Sequence, residues 1–193
     1  MSEFEAFNNS VEVNGQTILS VLAGMVGFET TAITILSQNG IDNPEPDKWY
    51  SHQSWLNAFK EISNKIGEKT LINIGMMIPE KAEWPANVNS MEGAFASIDI
   101  AYHMNHRLNG ILLYNPETGN MLEGIGHYKY QKTDENEITM ECNNPYPCAF
   151  DKGIIKSVAN KFKPVGIKVN FKEGVAHGCR SKGDNVCTYV ITW

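Results

Sequence analysis

The chain has 193 residues, of which 42% are hydrophobic and 20% are charged, and its formal net charge is −6. This much apolar material excludes an intrinsically disordered chain and indicates one folded unit with an added N-terminal layer. The negative charge argues against nucleic acid and anionic membrane as partners. Because no apolar run is long enough to span a bilayer and the first residues do not form a secretory signal, we expect a cytoplasmic protein.

The N-terminal part of the chain predicts a strand followed by two short helices. Val11 and Val13 alternate with polar residues, which is typical of a strand with one buried face. Residues 17–26 and 30–38 have the composition of helices, and Gly40 is a suitable C-terminal cap for the second. We expect these elements to form a layer that packs on the rest of the chain.

Two longer amphipathic helices follow. The first carries one apolar stripe, at positions i, i+4, i+7 and i+11, formed by Trp55, Phe59, Ile62 and Ile66. Pro79 and Pro85 are predicted to bound a loop, and Ser90 is a suitable N-cap for the second helix. That helix is predicted to end near Arg107, and its buried side is formed by Met91, Phe95, Ile98 and Tyr102.

The second half of the chain changes to a two-residue period, which predicts strands. Residues 111–114 and 121–130 are predicted to form a β-hairpin, and a helix over 150–162 interrupts the later strands. Those later strands are expected at residues 138–142, 167–171 and 186–193. The order of elements predicts an α+β fold, in which helices pack on an antiparallel sheet behind an N-terminal helical layer.

A polar segment with two prolines, at residues 42–47, separates the N-terminal elements from the longer helices. We therefore predict an N-terminal strand-turn and helical layer over residues 1–45. Residues 46–193 are predicted to form a ligand-binding domain.

Three cysteines in the C-terminal third are placed so that they can meet at one point. Cys148 opens a predicted helix, where the positive end of the helix dipole favours a thiolate. Cys179 and Cys187 lie symmetrically about Gly183, so a hairpin turning there brings their Cβ atoms to roughly 5 Å. Thiolates at such a spacing suit zinc, and His177 on the same strand face is a candidate further ligand.

The same cysteines also have interpretations that need no metal. Buried thiols pack as small hydrophobic groups, and in a cytoplasmic protein that alternative stands beside the zinc site. A disulfide is the least expected arrangement in such a compartment. Cys142 alternates with Ile138 and Met140, a pattern that core packing explains.

The residues around these cysteines resemble the 4-vinyl-reductase domain family. The resemblance rests on Asn144-Pro145-Tyr146-Pro147-Cys148 before a helix and on the pattern Cys-x3-Gly-Asp-x2-Cys from Cys179 to Cys187. It covers residues 144–193 and implies a mixed α/β domain, often a homodimer, that holds a small hydrophobic or aromatic ligand. Relatives of the family include aromatic-sensing regulators, haem nitric-oxide-binding domains and vesicle-tethering subunits.

In the aromatic sensors of that family, a structural zinc is bound by a glutamate and by three cysteines, which match Cys148, Cys179 and Cys187. The segment shortly before the second of these cysteines lacks the glutamate in this chain. The resemblance therefore implies either no fourth protein ligand or one of three candidates, which are His177, Glu173 and Cys142.

Histidines and aromatic residues in the first two thirds of the chain predict a ligand pocket. His103 and His106 are three residues apart and share one face of their predicted helix, and His127 follows two glycines that let a ligand approach. One axial histidine, or a cysteine, suffices to hold haem. We name six candidate ligand-binding residues, although an ordinary core explains the aromatic ones equally: Tyr102, His103, His106, His127, Trp55 and Phe95.

No catalytic motif occurs in the sequence, so we name no catalytic residue and find no positive case for an enzyme. The sequence predicts a small-molecule-binding sensory or regulatory domain with a structural zinc-thiolate site, which signals to a separate output protein. The alternative is a protein that binds haem or another tetrapyrrole, as a sensor or a reductase. A third interpretation is an assembly subunit that uses the stripe around Trp55 to contact a partner.

Overall fold

The computed structural model describes residues 3–174 and 178–193, which contain both helices and antiparallel strands, as in an α+β protein. The helices of this part of the chain are α1 (Gly15–Gly24), α2 (Glu29–Gln38), α3 (His52–Lys65), α4 (Glu68–Lys81), α5 (Met91–Met104) and α6 (Cys148–Phe162). Its strands are β1 (Val11–Asn14), β2 (Trp49–Ser51), β3 (His106–Leu108), β4 (Ile111–Leu112), β5 (His127–Asp134), β6 (Glu137–Asn143), β7 (Asn170–Glu173) and β8 (Cys187–Thr192).

The strands form two antiparallel sheets of four strands each. Their orders are β2-β1-β3-β4 and β5-β6-β8-β7. The predicted α+β class, with antiparallel sheet and packed helices, is therefore confirmed. In the first sheet, β1 pairs both with β2 and with β3, so the N-terminal layer shares its sheet with later parts of the chain. Among the described residues, no helix combines the length and the apolar character that crossing a membrane requires.

The helices begin where polar side chains accept the first backbone N–H groups. The Asn14 side chain accepts the N–H of Gln16 at 2.7 Å at the start of α1. At the start of α5, the Ser90 hydroxyl accepts the N–H of Gly93 at 3.1 Å, as the sequence predicts. Such caps satisfy donors that have no partner inside the helix, which fixes where the helix starts.

Two sequence predictions about loops are wrong. The sequence predicts a loop bounded by Pro79, but this residue lies inside α4. Pro79 has no N–H, so the carbonyl of Gly75 loses its helical donor. The carbonyl of Pro79 itself lies in the last turn and accepts from the Trp84 indole and the Lys161 ammonium. The hairpin over 111–130 is reduced to one bridge between Tyr114 and Met121, since β4 and β5 belong to different sheets.

Glycines explain how the chain passes from the first sheet to the second. Gly124 and Gly126 have φ values of +142° and +74°, which ordinary L-residues rarely adopt. A Cβ atom on Gly126 would lie 1.8 Å from the carbonyl oxygen of Asn143. The backbone of β5 can therefore lie against the end of β6 only because a glycine stands at this position.

Helices α4 and α6 pack against each other at very short distance. A Cβ atom on Gly75 would lie 2.1 Å from the carbonyl oxygen of Phe150, and one on Gly153 would lie 2.2 Å from that of Ile72. The two backbones therefore touch without side chains between them. This contact sets the position of α6, which carries one wall of the cavity described below.

We predict that Gly153→Ala destabilises the protein by about 1–3 kcal/mol, because the added methyl group forces α4 and α6 apart. Urea unfolding followed by circular dichroism measures the change. The matched control is Gly93→Ala, a helical glycine whose added Cβ would meet only the Ser90 hydroxyl at 3.3 Å. A Gly153→Ala protein as stable as the control would contradict the close contact.

Candidate functional site

An open cavity of about 720 Å³ lies where α1, α4, α5 and α6 meet. Its volume is in the range of pockets that hold small organic ligands. The inner lining is largely aromatic and apolar, and includes Tyr102, His106, Tyr128, Tyr146, Phe150 and Ile154. Tyr102 and His106 are two of the six residues that the sequence predicts for ligand binding.

His106 places a neutral imidazole at this cavity. The ring is buried, and its Nδ1 atom lies 2.7 Å from the carbonyl oxygen of Tyr102. Since a carbonyl only accepts, we assign the proton to Nδ1, which leaves Nε2 as the acceptor for the Tyr146 hydroxyl at 3.0 Å. Burial lowers the pKa of His106 to about 4, so the ring is uncharged at neutral pH.

A second buried histidine supports the same wall. His52 is fully buried, and neither ring nitrogen has a hydrogen-bond partner among the described residues. Its ring centroid lies 4.9 Å from that of His106 and 5.3 Å from that of Tyr146. Burial, followed by the neighbouring His106, lowers the pKa of His52 well below its usual value. Neither His52 nor Tyr146 is predicted from the sequence as a site residue, although Tyr146 stands in the Pro-Tyr-Pro segment that carries the family resemblance.

The other predicted ligand residues do not line the cavity. Trp55 and Phe95 are fully buried core residues, and Trp55 packs edge-on against Phe59 with ring centroids 4.7 Å apart. The prediction that His103 and His106 share a helix face is wrong, because α5 ends at Met104 and His106 belongs to β3. His103 instead lies beside His127, with ring centroids 5.0 Å apart.

Three of the four cysteines come together at the N-terminus of α6. The Cys179 sulfur lies 3.3 Å from that of Cys148 and 3.2 Å from that of Cys187. Cys148 and Cys187 are within disulfide-bonding contact of each other, with Cα atoms 6.8 Å apart. Cys142 pairs with Cys187 across β6 and β8 but is buried outside this cluster.

The remaining candidate ligands of the cysteine cluster lie elsewhere or are not described. His177 falls outside the described residues. Glu173 forms an ion pair with Lys152, while lining the same depression as the cysteines. Glu3 also borders that depression, and its carboxylate accepts the N–H of Cys148 at 2.7 Å.

The cysteine loop is not the regular hairpin that the sequence predicts. After Cys179 the chain forms a short 3-10 turn, and Gly183 adopts a left-handed conformation with φ +95°. The Asp184 carboxylate accepts the N–H of Cys179 at 2.8 Å, and the N–H of Arg180 points to the Cys187 sulfur at 3.2 Å. The sulfur atoms therefore converge through turn hydrogen bonds and not through strand pairing.

A buried ion pair connects this loop to the cavity. The Arg180 guanidinium binds the Asp151 carboxylate and donates to the Asn144 side chain at 3.0 Å. The Tyr128 hydroxyl, whose ring lines the cavity, donates to the same carboxylate at 2.5 Å. Burial raises the pKa of Asp151 to about 6 and Arg180 opposes that shift, so the carboxylate is charged at neutral pH.

Comparison with known proteins shows the fold and no closer relationship. No family model matches the sequence, and no curated protein matches it. An H-NOX protein from S. oneidensis in the Fe(II)NO ligation state is 13% identical with a TM-score of 0.58, and the match covers 91% of this chain and 97% of that chain. An oxygen-binding H-NOX domain related to soluble guanylate cyclases, in its oxygen complex, is 14% identical with a TM-score of 0.61, covering 92% and 91%.

A third similar structure concerns the modulation of haem redox potential through protein-induced porphyrin distortion. It is 15% identical to this chain with a TM-score of 0.62, and the match covers 93% of this chain and 97% of that chain. At these identities the likeness establishes an H-NOX-like fold over nearly the whole chain.

We predict that Asp151→Leu destabilises the protein by about 3–5 kcal/mol, because it leaves the Arg180 guanidinium buried without its carboxylate. The double variant Asp151→Leu/Arg180→Met removes both charges and is expected to recover most of that loss. Chemical denaturation of the two variants and the wild type measures the difference. A double variant no more stable than the single one would show that the pair is not coupled.

Proposed function

We propose that this chain is a small-molecule sensor domain whose cavity binds haem, with His106 as the axial ligand. The observation that carries the proposal is the state of His106, a residue of the cavity lining whose neutral ring is held through Nδ1, so that Nε2, which accepts from the Tyr146 hydroxyl, is the nitrogen that could bind iron. Histidine ligands of metals are commonly fixed in this way, because the second hydrogen bond sets the tautomer and the ring orientation. The H-NOX-like fold supports haem as the bound group, since a similar structure is that of a haem protein.

The residues around the cavity meet the requirements of haem. The cavity supplies the space, and its apolar aromatic lining suits the face of a porphyrin. Two ammonium groups near Pro79 can pair with the two carboxylates that haem carries: Lys81 lines the cavity, and Lys161 lies 3.3 Å from the Pro79 carbonyl oxygen. Glu83 also lines the cavity, so one negative charge is present there as well. The Tyr146 hydroxyl must turn away from Nε2 for the nitrogen to bind iron.

Haem iron in this position would supply a binding site for a diatomic gas, as in the similar proteins with nitric oxide or oxygen. The protein's own contribution is to hold the imidazole and to keep water away from it. The Tyr102 carbonyl fixes His106, and the buried rings of Tyr146 and Phe150 stack with centroids 5.0 Å apart behind it. In such a sensor, a change in the position of His106 on ligand binding would be transmitted to a separate output protein or to a second copy of the chain.

A second candidate ligand is an uncharged aromatic molecule with one hydroxyl group. The observation that favours it is the His106–Tyr146 hydrogen bond, which is a polar pair in an otherwise apolar part of the cavity. A ligand hydroxyl inserted there could donate to Nε2 and accept from the tyrosine. This ligand class is the one that the 4-vinyl-reductase resemblance implies, and it needs neither iron nor the lysines.

We also propose that the cysteine cluster holds a structural zinc ion. Tetrahedral zinc with Zn–S bonds of about 2.3 Å needs sulfur atoms about 3.8 Å apart. The distances of 3.2 and 3.3 Å from Cys179 to the other two sulfurs require only a small outward movement. Cys148 and Cys187 are in disulfide-bonding contact, so zinc binding requires that this pair is reduced and that its sulfur atoms move apart. The N–H of Arg180 points to the Cys187 sulfur and stabilises negative charge there, while the N–H of Cys148 binds the Glu3 carboxylate.

Addition of hemin to the purified protein is expected to shift and sharpen the Soret band relative to that of free hemin, and His106→Ala is expected to weaken haem binding at least about tenfold by removing the axial nitrogen. Absorption spectroscopy during a hemin titration measures both. The control is His127→Gln, a histidine that does not line the cavity. A wild type that leaves the spectrum of free hemin unchanged would overturn the haem proposal, and a thermal shift with phenols instead would favour the second ligand class.

After dialysis of the reduced proteins against buffered zinc, the Cys179→Ser variant is expected to hold about one zinc per chain less than the wild type, because a thiolate ligand is removed. Inductively coupled plasma mass spectrometry counts the metal. Cys142→Ala is the matched control, since that thiol is buried outside the cluster. Equal zinc content in the Cys179→Ser variant and the wild type would contradict the zinc site.

A further inference from the structure

A second group of metal-ligating side chains lies on the part of α5 that does not face the cavity. It consists of Asp99 and His103, one turn apart on α5, and His127 at the start of β5. Each offers one ligand atom, and these atoms lie within 4.8 Å of one another. None of the three lines the cavity, so the group is independent of the proposed haem site.

Hydrogen bonds hold both histidine rings in place, and His103 keeps one nitrogen without a partner among the described residues. Nδ1 of His103 lies 2.8 Å from the Asp99 carbonyl oxygen and therefore carries the proton. The remaining nitrogen, Nε2, is buried and has no hydrogen-bond partner among the described residues. Nε2 of His127 lies 3.0 Å from the Glu123 carboxylate, and its Nδ1 faces the Asp99 carboxylate at 2.9 Å.

The carboxylate is held as firmly as the two rings. One Asp99 oxygen accepts the backbone N–H of Tyr128 at 2.8 Å, which leaves the other oxygen opposite His127. Ligands fixed through their second atom are typical of protein metal sites, where such contacts set the orientation of the ligands. Here every one of the three groups has such a contact.

We propose that Asp99, His103 and His127 form a site for a divalent transition-metal ion such as Zn²⁺. Two imidazoles and one carboxylate are ligands that these ions favour over Mg²⁺ and Ca²⁺. Two ligand atoms at bond lengths of about 2.1 Å lie about 3.0–3.4 Å apart for bond angles between octahedral and tetrahedral. The 2.9 Å between His127 Nδ1 and the Asp99 oxygen is close to that range.

The site is open on one side and supported on the other. The side chains of Asp99 and His127 are 20% and 21% exposed, whereas His103 is fully buried. Glu123 stands at the open side, in solvent, and accepts from the outer nitrogen of His127. An ion can therefore enter from water, and the three protein ligands leave further positions for water or another ligand.

Equilibrium dialysis of the reduced full chain against buffered Zn²⁺ at pH 8, with the metal counted by mass spectrometry, tests the site. His127→Gln and Asp99→Asn are each expected to remove about one zinc per chain relative to the wild type. Zinc bound to the cysteine cluster is present in all of these proteins, so it cancels in the difference. Glu92→Gln, on the same helix, is the control and is expected to keep the full metal content.

A wild type and a His127→Gln variant with equal zinc content at every free Zn²⁺ concentration would overturn the proposal. Retained circular dichroism in both variants ensures that lost metal does not reflect unfolding. If Asp99→Asn disturbs the fold by weakening the hydrogen bond from the Tyr128 N–H, the decisive variant is His127→Gln, at a partly exposed residue. Glu123→Gln keeps all three ligands, and a weakening of about tenfold or more is expected from the loss of its support.

Discussion

The ion pair between Arg180 and Asp151 is the interaction on which the C-terminal half of the structure depends. Both side chains are buried, so neither charge can be left alone without a large loss of stability. The pair joins the cysteine loop to α6, and the Tyr128 hydroxyl adds the second sheet to the same carboxylate. One buried charge pair thus fixes a loop, a helix and a strand relative to each other.

Helix α6 places two proposed sites on one rigid element. Its first residue, Cys148, belongs to the cysteine cluster, and Phe150 and Ile154 line the cavity. Its close contact with α4 through Gly75 and Gly153 leaves little freedom for the helix to move alone. A zinc ion at the cluster would therefore stiffen the cavity wall through α6, without touching the ligand. This arrangement suits a structural role for that metal.

The sequence predicts local structure well where the signal is local. The apolar stripe from Trp55 and the Ser90 cap correspond to α3 and α5, and the α+β class follows from their order. The sequence could not show whether the strands on either side of residue 115 pair with each other, because the sheet that a strand joins depends on partners far along the chain. The convergence of Cys148 with Cys179 also depends on contacts between distant parts of the chain, which the period of the sequence does not carry.

His103 and His106 show that the helical period predicts neighbouring side chains only as far as the helix extends. A continuous helix would place His103 and His106 on one face, but the helix ends between them and β3 begins at His106. The end of the helix is set by pairing of β3 with β1, a contact between residues more than ninety positions apart. As a result His106 turns to the cavity, while His103 remains with Asp99 and His127. A single change of backbone conformation thereby places the two histidines of one predicted pair in two separate groups of side chains, for which we propose different ligands.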